Sequence, residues 1–202
     1  MRRRLLSRFI TAALSLLAVG LLGLSTAQSQ DKDPKPPRDP DVIYVPTPDE
    51  VVDKMLTLAD VRPGEIVYDL GCGDGRIVIA AAKVYGARGV GIDIDPQRIK
   101  EANENARKAG VQNLVRFEEN DLFKADIHEA SVVTLFLLSS VNLKLRPKLL
   151  GELKPGTRIV SNTFEMGDWQ PDKELTLEQR SDDDGPFSRK LYLWIVPPRS
   201  RN

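Results

Sequence analysis

The sequence contains one cysteine, Cys72, and one histidine, His128, in 202 residues. A lone thiol closes no internal disulfide, and this pair cannot furnish a Cys-rich or His-rich metal centre, so neither staples nor structural metal are expected to hold the fold. Acidic residues are missing from the first 27 positions, which carry Arg2, Arg3, Arg4 and Arg8. With those arginines set aside, residues 28–202 hold 25 basic and 29 acidic side chains, a net charge of −4. That body has no general basic excess to draw it onto a nucleic-acid backbone. What is present is an ordinary globular balance, 41% hydrophobic and 29% charged, which excludes a mostly disordered chain and a multi-span membrane protein. The length suits one domain with an appendage and leaves no room for two full cores.

The appendage is N-terminal. Phe9 to Leu24 is apolar apart from Thr11 and Ser15, and Ser25-Thr26-Ala27 offers small residues suited to cleavage. A basic flank, an apolar run and a small-residue site read as a signal peptide. The apolar run is shorter than the roughly 20 residues that span a bilayer comfortably, and an uncleaved membrane anchor is the alternative. In either case the arginines stay on the cytoplasmic side and the body is exported or membrane-anchored. Residues 31–40 contain four prolines and no large apolar residue, the composition of an extended linker. The boundaries expected are therefore a signal peptide or anchor over 1–27, a Pro-rich linker over 28–40 and a folded domain over 41–202.

Within that domain, Thr47-Pro48-Asp49-Glu50 fits a capping box opening a helix whose apolar face is Val51, Val52, Met55, Leu58 and Ala59. Ile66 to Leu70 reads as a strand buried on both sides. Ile77, Ala80, Ala81 and Val84 recur at helical spacing before Gly86, and Gly89 to Asp93 reads as the next strand. Asp95-Pro96 caps a third helix that Gly110 ends. Strands are expected over 114–117, 132–138 and 157–163, with a helix between the last two through Leu149, Leu150 and Leu153. Strands alternating with helices give an α/β fold with a parallel sheet covered on both faces. The ending departs from that rhythm: 174–179 and 190–196 both read as strands, and the loop between them, including Asp182 to Pro186, is too short for a crossover helix, so this pair must be antiparallel.

Chemistry concentrates at Gly71-Cys72-Gly73-Asp74-Gly75, which follows the first strand and opens a helix. Glycine there lets the backbone approach a ligand without a Cβ clash. Asp93, at the end of the second strand, can accept hydrogen bonds from ribose hydroxyls. Together they make a nucleoside pocket. A dinucleotide site would want a third glycine where Arg76 stands, and Asp69 and Asp74 would repel a diphosphate but favour the sulfonium and ammonium of S-adenosylmethionine (SAM). Asp69-Leu70-Gly71-Cys72-Gly73-Asp74-Gly75 resembles the first motif of class I, Rossmann-like SAM methyltransferases, and the antiparallel ending is similar to their seven-stranded sheet. That resemblance implies that Asp69, Gly71 and Gly73 lie at the cofactor, that Asp93 holds the ribose and Ile94 lies along the adenine, and that Asn120 and Asp121 reach the adenine side.

A narrower resemblance runs through Tyr44-Val45-Pro46-Thr47, Gly73 to Val78, Asp121 to Asp126, Val132 to Phe136 and Trp169-Gln170-Pro171. These segments resemble small protein-lysine methyltransferases related to those acting on the mitochondrial adenine nucleotide translocase and the ATP synthase c subunit. The sequence departs from them at Leu138-Ser139-Ser140, where a proline is expected before the serine. The resemblance implies a SAM-dependent enzyme whose partner is a protein lysine, in a membrane-embedded or membrane-adjacent substrate. Tyr44 is implied at the cofactor, and Tyr44, Ser139 and Trp169 are the candidates for the substrate channel; no metal is called for. Methyl transfer is an in-line displacement needing alignment and water exclusion, so no nucleophilic side chain is expected. Cys72 reads as a small residue in a tight turn, and His128 as a surface residue. Methylation of a small molecule or RNA, a SAM-binding module without turnover, and an NAD-linked oxidoreductase stand as alternatives. Export sits awkwardly with a cofactor made in the cytoplasm.

Overall fold

In the computed structural model, residues 45–181 and 185–199 are described. The N-terminal segment, the linker, Tyr44 and Asp182 to Asp184 lie outside the described residues. The described chain runs α1 (Asp49–Leu58), β1 (Ile66–Leu70), α2 (Arg76–Tyr85), β2 (Arg88–Asp93), α3 (Pro96–Ala109), β3 (Val115–Glu119), β4 (Val132–Leu135), α4 (Ser139–Glu152), β5 (Arg158–Asn162), β6 (Lys173–Ser181) and β7 (Gly185–Ile195). Seven strands form one sheet in the order β3-β2-β1-β4-β5-β7-β6. The first five are parallel, and β7 runs antiparallel to both β5 and β6.

Alternation along the strands sorts the core onto two faces. Val67, Val132, Val160, Leu191 and Leu193 pack with Val51, Val52, Met55 and Leu56 of α1 and Ile77, Val78 and Ala81 of α2. Tyr68, Leu70, Val133, Leu135, Ile159, Tyr192 and Trp194 pack on the other side with Leu145 and Leu149 of α4. Fully burying one such side chain contributes about 1.5–3 kcal/mol, so the sheet is the rigid part on which any loop site stands.

Several boundaries differ from those the sequence suggests. The capping box at Thr47 does not form: Pro48 is the N-cap of α1 with no side-chain cap, and Thr47 is buried with its carbonyl accepting from Arg76 Nη1 at 2.8 Å. Val84 is 68% exposed, and Ala82 takes the inward position instead. Leu114 lies outside β3. β4 stops at Leu135 because the chain turns into α4, with Leu138 carbonyl accepting from the amides of Val141 and Asn142 at 2.8 and 3.0 Å. β5 stops at Asn162 because Thr163 is left-handed, φ 70°. The closing hairpin is longer than expected, its register reaching Ser181 opposite Gly185. Asp95 caps α3 as anticipated, accepting from Gln97 N at 2.8 Å, and Gly110 ends it. Among the described residues no helix is long and apolar enough to cross a membrane.

Candidate active site

The bend after β1 is tied to β2 by its backbone. Gly71, at φ 84°, and Cys72 both donate to the carbonyl of Ile92, at 2.8 and 2.9 Å. A Cβ at Gly71 would need this left-handed conformation and would also stand 3.0 Å from Leu137 Cδ2, so glycine is required on two counts. Gly73 N donates to Asp93 Oδ2 at 2.8 Å, Asp95 N donates to Asp93 Oδ1 at 3.0 Å, and Asn120 N donates to the Asp93 carbonyl at 2.9 Å. Asp93 therefore joins three segments: the glycine bend, the start of α3 and the loop after β3. At Gly91 a Cβ would lie 2.5 Å from Phe117 and 2.8 Å from Cys72 Sγ, which explains a second glycine in β2.

Asp69 and Thr134 are register partners on β1 and β4, and their side chains meet on one face, with Thr134 Oγ1 donating to Asp69 Oδ1 at 2.8 Å. Burial pushes the Asp69 carboxyl up to about 7, against the lowering effect of the Thr134 hydroxyl, and the carboxylates of Asp93 and Asp74 push it further. A nearby cation reverses that pressure by favouring the ionised form. Asp74 behaves differently. Arg76 grips it in a fork, Nε on Oδ1 at 2.9 Å and Nη2 on Oδ2 at 2.7 Å. Its charge is thereby largely balanced, which corrects the expectation that Asp74 and Asp69 act alike: Asp69 faces the cavity with a hydroxyl partner and, among the described residues, no guanidinium. The Cys72 thiol is buried and pushed well up by that burial and by Asp69, as suits a packing residue rather than a nucleophile. His128 is exposed and bonds Asp126, and it does not line the cavity described next.

At the carboxyl ends of the strands lies a cavity of about 700 Å³. Asp69, Gly71, Asp93, Ile94, Asn120 and Asp121 line it together, which places six residues singled out from sequence around one space. Gly73 belongs to the same bend through its bond to Asp93. Asp121 Oδ1 accepts from Phe123 N at 3.0 Å, which fixes its loop. The other end of the cavity is apolar: Phe136, Leu138, Val141 and Phe164. The Phe136 and Phe164 rings lie 6.0 Å apart, and the Arg189 guanidinium stands 5.6 Å over Phe136. Neither phenylalanine stands out in the sequence as a site residue. Two channel candidates lie elsewhere. Ser139 is exposed at the start of α4 and is not in the lining. Trp169 packs against the core with its ring 6.1 Å from that of Trp194, whose Nε1 donates to the Trp169 carbonyl at 2.8 Å.

A position where the strand order reverses, at the carboxyl edge of a parallel sheet, is the expected place for a nucleoside, and the bare bend with a buried carboxyl fits a cationic one. The ANTKMT methyltransferase domain family matches residues 69–173. This chain belongs to that family. It is 48% identical over 158 residues to a protein-lysine N-methyltransferase of Saccharolobus islandicus, covering 78% of this chain and 95% of that one. It is 38% identical over 130 residues to the mouse (Mus musculus) adenine nucleotide translocase lysine N-methyltransferase, covering 64% of this chain and 56% of the mouse protein. The chain thus spans little more than half of that longer relative. Among solved structures it is similar to a protein described as an RNA methyltransferase of Salinibacter ruber in complex with S-adenosyl-L-homocysteine, at 52% identity and TM-score 0.69, covering 78% of this chain and 97% of that one. The chain is a SAM-dependent methyltransferase with the mixed seven-stranded sheet its sequence implied.

Proposed function

We propose that this methyltransferase acts on lysine side chains of a protein. When bound, SAM supplies an electrophilic methyl group that a neutral amine displaces in line. The residues of the chain bind and align: Asp93 grips the ribose while holding Gly73, Ile94 lies along the adenine, Asn120 and Asp121 close the adenine side, and ionised Asp69 complements the positive end of the cofactor. The apolar end at Phe136 and Phe164 excludes water and admits an alkyl chain, and its low polarity favours the uncharged form of an incoming amine. The observation that carries this reading is one cavity joining a buried carboxyl and glycine bend to an aromatic pair, and the likeness to the Saccharolobus islandicus protein-lysine methyltransferase over nearly its whole length supports it.

RNA as acceptor is the second reading, favoured by the name of the Salinibacter ruber structure and opposed by the net negative charge of residues 28–202. Methyl-labelled SAM given to the full chain with protein, RNA and low-mass fractions of a cell extract separates these readings. Label in lysine of the protein fraction is expected, and label in RNA alone would overturn the lysine assignment. The basic-apolar pattern of residues 1–27 supports a further reading, that the enzyme is exported or held at a membrane beside a membrane-associated substrate. A reporter fused after residue 40 tests it by the side of the membrane on which it is active.

A further inference from the structure

The corner at the end of β5 carries two separate costs within two residues. Thr163 is a β-branched residue at φ 70°, a conformation such residues avoid. Phe164 N donates back to Asn162 O at 2.8 Å, so Thr163 is the centre of a three-residue γ-turn of the rare, left-handed kind. Next to it, Asn162 is fully buried and its Nδ2 has no partner among the described residues, which costs on the order of 1–3 kcal/mol. Strain of this sort persists only where the surroundings over-determine it, and here they do. Thr163 N donates to the Lys190 carbonyl at 2.8 Å. The Phe164 carbonyl accepts from Ser161 Oγ at 2.6 Å and from Asn142 Nδ2 at 3.2 Å. Asn162 Oδ1 accepts from Thr163 Oγ1 at 3.0 Å and from Arg189 Nη1 at 3.1 Å, and that same guanidinium covers Phe136. One hydrogen-bonded corner thus sets both rings at the apolar end of the cavity.

We propose that Thr163 is a positioning residue for the methyl acceptor: its left-handed turn swings Phe164 beside Phe136, and the two rings hold the alkyl chain of the incoming amine in line with the methyl group. The proposal rests on the methyltransferase reading above and adds to it the device that shapes the acceptor end. Thr163→Val keeps the β-branch that resists a positive φ and removes the hydroxyl that clamps the turn to Asn162 Oδ1, whereas Thr163→Gly loses the same hydroxyl but adopts a positive φ without a Cβ penalty and so keeps the turn. The full chain bearing Thr163→Val is expected to bind SAM within twofold by calorimetry, while methyl transfer at subsaturating acceptor falls by roughly tenfold or more, since small misplacements of a reacting group are costly. Thr163→Gly is expected to keep most of the rate. The acceptor used is whichever extract fraction the wild type labels, so the identity of the acceptor does not enter. Unchanged transfer in Thr163→Val, with SAM binding as stated, would overturn the positioning role while leaving the enzyme assignment intact. Transfer lost equally in Thr163→Val and Thr163→Gly would also overturn it, because the left-handed turn, which glycine keeps, would then not be what matters. A wild type that binds no SAM or labels no fraction defeats the methyltransferase reading itself, and this proposal with it.

Discussion

Beside β1 and β2 the cleft is positioned by backbone groups. The amides of Gly71, Cys72 and Gly73 are all bonded to β2, and the carboxylates of Asp69 and Asp93 stand at or near the strand ends beside them. Beside β4 and β5 the cleft is positioned by side chains: two phenyl rings held by an arginine, an asparagine pair and a strained threonine. The first arrangement suits a cofactor that is the same in every turnover, because a backbone cradle is rigid and indifferent to most substitutions. The second suits an acceptor that differs between relatives, because ring packing can change by single substitutions without disturbing the sheet. If the division holds, variants at one end change SAM binding alone, and variants at the other change acceptor use alone.

The largest effect should come from Asp69. In the unfolded chain its carboxyl ionises near pH 4, while in the folded apo protein it keeps its proton until about pH 7. The folded state therefore binds more protons across that window, and stability falls as pH rises from about 4 to 7. Asp69→Asn removes this loss. Denaturant unfolding at pH 5 and pH 8 should show the wild type weakening relative to the variant by up to about 3 kcal/mol, an upper bound for a fully buried group. SAM affinity should move oppositely, rising through pH 7 in the wild type and staying flat in the variant. Asp93→Ala comes next. It removes the proposed ribose contact and also releases Gly73 N, and calorimetry should show SAM binding weakened by roughly 1–3 kcal/mol with acceptor KM little changed.

The legibility of the two ends in the sequence follows from the same contrast. A bend that must pass close to a ligand calls for glycine at fixed spacing after an apolar strand, so Gly71, Gly73 and Asp93 announce themselves, and the strand rhythm announces the sheet. Phe136 and Phe164 are 28 positions apart, and only the adjacency of β4 and β5 with the turn at Thr163 brings them together. A threonine carries no signal for a left-handed turn; its β-branch argues against one. Asp74 was legible as an acid but not as a balanced one, because the fork from Arg76 depends on how α2 begins. Trp169 lies in a segment singled out by resemblance alone, yet its ring and carbonyl both serve the core at Trp194; a resemblance points to a residue without telling whether it packs or binds.

Phe136→Ala sharpens the comparison from the other side. Removing one ring of a packed pair costs about 0.5–1.5 kcal/mol beyond its buried area. That loss should appear as an acceptor KM raised on the order of tenfold in initial-rate measurements, with SAM affinity unmoved. A parallel loss of SAM binding would mean that the two ends are coupled.

Trp169→Leu should have the smallest effect on turnover and so gives the sharpest test of where the acceptor end stops. Trp169 packs on Trp194, and Trp194 is fully buried with its indole N–H satisfied by the Trp169 carbonyl. That hydrogen bond runs to the backbone, so it survives the substitution, while the ring contact and part of the buried area are lost. Thermal unfolding should therefore fall by an amount worth about 1–2 kcal/mol, and acceptor KM and SAM affinity should both stay within twofold. A selective rise in acceptor KM with little loss of stability would bring Trp169 into the acceptor path. The aromatic wall would then extend from Phe164 across the segment that joins β5 to β6, and the substrate channel would be longer than the cavity that now defines it.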